Sequence, residues 1–254
     1  MPKKNMLPGF DRLLAVLSQF GVTPEIEPPS PKAPLAGDRV LGAPFDPMLA
    51  ALYARINGRF LGDLSVYGFD EDTGRDLIKL NTSFRECEVG HPFDLREILY
   101  YAQEFSMAYR FAVVPSLANV EGVQPVLYLD EYDEVSVLPF ASSVDKAFDL
   151  WARFCEVRFR RRGEPEQLRR LSKAIVRAFS GRDVPEDPTE SEEHKAWSRN
   201  MMLDVPGTPL EEHRLVAEDK ELVRMMKAGN FDRFIGDNRY SRNWMDSVIR
   251  ASQQ

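Results

Sequence analysis

Long apolar runs are missing from this chain of 254 residues. Crossing a bilayer takes about 20 consecutive apolar residues, so no transmembrane helix is expected. Cysteine is scarce, with only Cys87 and Cys155. Small secreted scaffolds held by disulfides are denser in it, and two thiols fit a reducing cytosol. Met1-Pro2-Lys3-Lys4-Asn5 is followed by no apolar h-region, so no signal peptide is expected and the reading is cytoplasmic. An excess of positive charge is missing too. The net charge is −7 and the pI about 5.2, a balance that repels phosphate backbones and argues against nucleic-acid binding.

Catalytic signatures are equally thin. There is no Gly-x-Ser-x-Gly, so Ser116, Ser142 and Ser143 lack a nucleophile elbow. Neither Gly-x-x-x-x-Gly-Lys-Ser/Thr nor Gly-x-Gly-x-x-Gly occurs, so no loop is built to cradle phosphates. The three histidines, His91, His194 and His213, show no metalloprotease spacing. Cys87 and His91 stand four apart, as two metal ligands on a helix would, but Gly90 and Pro92 argue against a helix there. No cofactor and no metal site are expected.

What is present is a globular composition, 43% hydrophobic and 29% charged. The length fits one large domain, or a medium one with an appendage. Asp11 to Phe20 places Leu13, Leu14, Leu17 and Phe20 on one helical face, with Gly21 as a stop. Five prolines between Thr23 and Pro34 make an extended linker. Asp46-Pro47 opens a second helix that Asn57-Gly58 ends. Leu64 to Phe69 alternates like a strand, and Asp70 to Gly74 follows as a polar turn. Asp94 caps a predicted helix over Leu95 to Glu104. Strands are predicted over 109–114, 124–130 and 135–138, and a helix from Ser143 with Val144, Ala147, Phe148, Trp151 and Phe154 inward.

From Arg160 onward only helical spacing is read: a basic helix over Pro165 to Phe179, a helix from the capping box Thr208 to Glu211 through Lys227, and a last one with Trp244, Val248 and Ile249. The predicted class is α+β: a mixed, largely antiparallel sheet flanked by helices, with an all-helical C-terminal extension. The predicted division is 1–39 as helix and linker, 40–160 as the α+β domain and 161–254 as the extension.

Gly42-Ala43-Pro44-Phe45-Asp46-Pro47-Met48 through Asn57-Gly58 resembles the entry of SUKH-superfamily domains, the group of fungal cell-wall regulators and many bacterial immunity proteins. Tyr67-Gly68-Phe69, Val126 to Asp130 and Val135 to Leu138 are similar to strands of that family's meander, and Ala141 to Phe154 to its closing helix. The resemblance covers about 40–158. Arg59 departs from it, standing where members often place a small residue, and so do the long insertion from Arg75 to Met107 and everything after 160. The resemblance implies a mixed sheet on helices, a concave protein-binding face and no catalysis. Bacterial members typically neutralise a cognate toxin.

Charge placement gives that expectation a location. Residues 63–149 hold 17 acidic and 6 basic residues. Such a stretch is either a solvated surface or a field that draws in a basic partner. The candidate partner surface is Asp70, Glu71 and Asp72 together with Glu131, Tyr132, Asp133 and Glu134. Tyr132 supplies aromatic area of the kind that anchors interfaces. The partner expected is a basic protein, with no nucleic acid and no membrane involved. The alternative is a metal-assisted hydrolase using acidic turns such as Asp130 to Glu134. A basic run, Arg158 with Arg160 to Arg162 and Arg169-Arg170, is read as solvated or paired with the acidic front.

Overall fold

The computed structural model describes residues 6–69, 75–86, 93–104, 109–130, 136–162 and 213–254. Among these, in chain order, are helix α1 (Pro8–Gln19), strands β1 (Glu25–Ile26), β2 (Arg39–Val40) and β3 (Ala43–Pro44), helix α2 (Pro47–Tyr53), strands β4 (Arg59–Leu61) and β5 (Leu64–Val66), and helix α3 (Leu77–Glu86). Next come β6 (Leu99–Glu104), β7 (Tyr109–Val113), β8 (Val126–Asp130), β9 (Ser136–Ala141) and helix α4 (Val144–Arg162). The last helices are α5 (His213–Ala217), α6 (Lys220–Lys227), α7 (Asp232–Ile235) and α8 (Arg239–Ala251). Seven strands form one sheet in the order β1-β4-β5-β6-β7-β8-β9, and β2 and β3 make a separate hairpin. Every strand pair is antiparallel. The fold is therefore α+β, and residues 213–254 contain helices and turns alone.

Three expectations need correction. The predicted helix from Leu95 to Glu104 is a single 3-10 turn, Leu95–Glu97, followed by β6. Asp94 does cap, accepting from the Arg96 N–H at 2.8 Å. Beyond it, Leu99, Tyr100, Tyr101 and Ala102 are all buried, and a strand covered on both faces reads as a continuous apolar run with no period. The helix of this insertion is α3 instead. Second, α2 ends at Tyr53, ahead of Asn57-Gly58, which forms a tight crossing with Gly68: a Cβ on Gly58 would lie 2.6 Å from the Val66 carbonyl oxygen. Third, the helix expected through Lys227 is broken at Glu218-Asp219, where Asp219 caps α6 by accepting from the Leu222 N–H. The helix predicted over Pro165 to Phe179 and the capping box at Thr208 lie outside the described residues.

Directly paired residues share a face of the sheet. One face carries the row Val66, Ala102, Phe111, Tyr128 and Leu138. It is covered by α4, whose Trp151 meets the Phe111 ring edge-on at 5.5 Å. Helix α1 lies along α4 at backbone contact. A Cβ on Gly9 would come within 2.2 Å of the Asp145 carbonyl oxygen, so only glycine fits. Leu7, the N-cap of α1, offers no side-chain cap, and the Asp145 carboxylate of α4 accepts from the Gly9 and Phe10 N–H groups in its place. The proline-rich segment contributes β1, an edge strand, rather than linker alone. One core draws on all parts of the described chain: Phe10 and Leu13 of α1, Phe148 and Trp151 of α4, and Phe234 and Val248 near the C-terminus.

Both sheet edges are closed. At β1 the edge strand has two residues, with Pro24, Pro28 and Pro29 around it. At β9 the C-terminal helices supply side chains where a next strand would supply backbone. The Val137 N–H donates to Ser241 Oγ at 3.0 Å and the Ser142 N–H to Asp219 Oδ2 at 2.8 Å. Pro139 shares Val137's orientation and has no N–H to leave open. Among the described residues no helix is long and apolar enough to cross a membrane.

Asp46 is the most buried of the tying carboxylates. Its Oδ1 accepts from Met48 and Leu49, capping α2, and its Oδ2 accepts from the Gln124 N–H at 2.7 Å. Burial pushes its carboxyl up to about 6 although all three donors pull the other way. Between roughly pH 4 and 6 the folded chain then holds a proton that the unfolded chain has released. Stability from this group is present below about pH 4 and lost as pH rises to about 6. Urea unfolding of parent and Asp46→Asn across this range should show the parent's advantage shrinking with pH, by at most ~1.4 kcal/mol per unit. Trp151→Ala should cost about 3–5 kcal/mol by the same assay, because Trp151 is 1% exposed and fills the helix–sheet interface.

Candidate functional site

The sequence-predicted residues Asp70, Glu71, Asp72, Glu131, Tyr132, Asp133 and Glu134 all lie outside the described residues. The described residues on either side of them lie at the two ends of the sheet. Asp130 and Ser136 are the paired ends of β8 and β9, at the same end of the sheet as Glu104, Tyr109 and the β4–β5 turn. Phe69 and Arg75 follow from the opposite end, where Gly68 bridges to Asp76 beyond Val66. Side chains of Arg158 and Arg160 to Arg162, and all of Cys87 and His91, are likewise outside the described set.

The described residues bring together a different constellation, on the face away from α4. Glu25, Phe60, Ser65, Gln103, Arg110, Leu129 and Val137 form one continuous register row across all seven strands. Its β8–β9 half is apolar and fully buried, whereas Gln103 and Arg110 are half-buried and Glu25 is exposed. Arg75, just before α3, reaches onto this row. Its Nη1 donates to Ser65 Oγ, and its guanidinium lies 4.2 Å over the Phe60 ring. Arg110 lies 4.2 Å over the ring of Phe84, a residue of α3. Tyr67 closes the set. Its hydroxyl donates to Gln103 Oε1 at 3.0 Å and receives a hydrogen bond from Arg110. Burial pushes this phenol up to about 12, against the pull of Arg110 and Arg75. Burial also lowers the Arg75 guanidinium.

Asn81 is what seats α3 over the row. Strand β5 ends at Val66, opposite Ala102, so on that side no β5 residue stands opposite Tyr100, which pairs with Ala112 of β7 on the other. The Asn81 side chain takes over: its Nδ2 donates to the Tyr100 carbonyl and its Oδ1 accepts from the Tyr100 N–H, both at 2.8 Å. A buried amide thus continues the ladder with side-chain atoms and sets Phe84 beside Tyr100 and Arg110.

A second polar group joins helices. Arg12 bridges to Asp149 at 3.1 Å and Glu156 at 3.2 Å, and Arg153 pairs with Asp149 and Glu218. The cleft beside it, between α4, β9 and α5, encloses about 70 Å³, room for waters rather than for a drug-sized molecule. Among the described residues no group of His, Cys, Asp or Glu side chains is placed to hold a metal ion. Cys155 is buried in the core. His213 rests against Trp244. The chemistry offered by the polar row is hydrogen bonding and positive charge, from guanidinium, amide and phenol.

Arg59, a departure from the pattern of the resembled family, also has an unusual backbone. Its φ is +89°, in the region that favours glycine. Its side chain pairs with Glu25 of β1 at 4.0 Å and with Glu27, just after β1, at 2.5 Å. The row itself was not anticipated, because its members are scattered along the chain from Glu25 to Val137. The available signal was polar residues among apolar ones: Ser65 and Arg110 each stand between two apolar residues, and Gln103 follows the apolar run that begins at Ile98.

Substitution at Arg59 separates strain from pairing. Arg59→Gly should leave stability unchanged or raise it by up to ~1 kcal/mol, since relief of the left-handed conformation outweighs two exposed ion pairs. Arg59→Ala keeps the Cβ, loses the pairs and should be the less stable of the two in chemical denaturation. Compared with known protein families, curated proteins and solved structures, the chain gives no match in any of the three.

Proposed function

We propose that this chain is a non-catalytic protein-binding module of the cytoplasm, an immunity protein that neutralises a basic toxin by direct contact through its acidic loops. The observation that carries the reading is where the negative charge falls. The segment 63–149 supplies five of the seven strands of the large sheet and carries 17 acidic residues against 6 basic ones. An antiparallel sheet closed at both edges is a rigid mount, and charge held on a rigid mount steers a partner of opposite sign without ordering cost at contact.

Charges at the rim of an interface act on association more than on dissociation, and salt screens them over about 10 Å at 0.1 M. The triple variant Glu131→Gln, Asp133→Asn, Glu134→Gln should therefore slow association with the basic product of the adjacent reading frame, more at low salt than at high. Stopped-flow kinetics across a salt series measures this, and growth of cells expressing that product measures protection. Equal on-rates and equal protection at every salt concentration would remove this surface from the reading.

A further inference from the structure

We propose that Asn57 is a self-modifying site that the fold holds shut: once the backbone around it opens, its side chain cyclises onto the Gly58 nitrogen, loses ammonia and leaves, as isoaspartate, a chain that cannot regain its fold. The inference is independent of the toxin-binding reading. Asparagine followed by glycine occurs once in the chain, at Asn57-Gly58. The reaction needs only these two residues and water. The Gly58 backbone nitrogen attacks the Asn57 side-chain carbonyl carbon, and the new C–N bond closes a succinimide. The Cγ–Nδ2 bond breaks, and the proton from the Gly58 N–H leaves with the amide nitrogen as ammonia. Water then adds to either imide carbonyl and opens the ring. One opening gives aspartate, the other isoaspartate, in which the main chain runs through the side-chain carbonyl. Glycine has no side chain to obstruct the attack.

The folded chain engages the pair on three sides. Asn57 is 6% exposed, and its Oδ1 accepts from the Phe69 N–H at 2.8 Å. Closing the ring moves this carbonyl off Phe69 and leaves a buried N–H without its acceptor. On the second side, the Asn57 N–H donates to the Glu27 carbonyl at 2.9 Å and ties the pair to the end of β1. The third side is the crossing with Tyr67-Gly68. Gly58 is held at φ +88°, where a Cβ would lie 2.6 Å from the Val66 carbonyl oxygen, and a Cβ on Gly68 would run into the Asn57 carbonyl oxygen. Isoaspartate lengthens the main chain by one carbon, roughly 1.5 Å, at a place that has no room for a methyl group. Phe69 seals the crossing, packed edge-on against Tyr53 at 4.8 Å and Phe45 at 6.1 Å. The reaction therefore waits for an opening that frees this part of the core.

The test incubates the full chain at mildly alkaline pH, in native buffer and in parallel in urea. Peptide mass spectrometry reads amide against acid at position 57, and labelling by an isoaspartyl methyltransferase counts isoaspartate. In urea Asn57 should convert faster than any other asparagine of the chain. In buffer its rate should be lower by at least about a hundredfold, since only the open fraction reacts. Gly58→Ala, assayed in urea where folding is not required, should slow the conversion severalfold. After dilution from urea, size exclusion separates refolded from unfolded chains. Chains that still carry Asn57 should be found among the refolded, and those carrying isoaspartate among the unfolded. Conversion in buffer at close to the urea rate, no conversion in urea, an undiminished rate in Gly58→Ala, or isoaspartate chains that refold as fully as unreacted ones each overturn the proposal.

Discussion

Two helices far apart in sequence, α1 and α4, meet at backbone distance, and the first face of the sheet is arranged around that meeting. The contact requires the absence of a side chain at Gly9 and the presence of one at Asp145. Glycine lets the helices close to a separation at which the carboxylate of one reaches the open N–H groups of the other. The same approach brings Arg12 to Asp149 and Glu156, so apolar packing, capping and ion pairing all act along a single line. With α1 fixed, α4 presents Phe148, Trp151 and Phe154 to the sheet as one continuous surface.

Wherever one physical signal dominated, the sequence was informative. The capping of α2 by Asp46, the strands at 109–113 and 126–130, and the buried stripe of α4 follow from short-range rules of capping and periodicity. The second face was harder to read. Burial on both sides erased the alternation of β6, and an acidic cap at Asp94 followed by leucine and tyrosines mimicked a helix start. The missed helix α3 owes its position to Asn81, whose role exists only once β5 has ended and the β5-facing backbone groups of Tyr100 are open to a side chain.

The polar row was hidden for a related reason. Register is a property of pairing between strands, and a bulge at Tyr100–Ala102 shifts the count within β6. No local pattern in the sequence places Ser65 beside Gln103 or Gln103 beside Arg110. Arg59 drew notice only through the family resemblance, and its backbone holds a conformation that suits glycine. Strain retained beside a cluster of charged groups is common where a surface has a task.

The closure of β9 has a consequence for how the chain is made. The last strand of the sheet is finished at Ala141, but the hydroxyl that covers Val137 belongs to Ser241, about 100 residues further along. At translation speeds of about 5–20 residues per second, the sheet spends roughly 5–20 s on the ribosome with its final edge uncovered. Pro139 limits what that edge can recruit meanwhile, since it removes a donor from the middle of the strand. Among the described residues of β9, Pro139 is the one that lacks an N–H to offer a neighbouring chain on a polysome during that window.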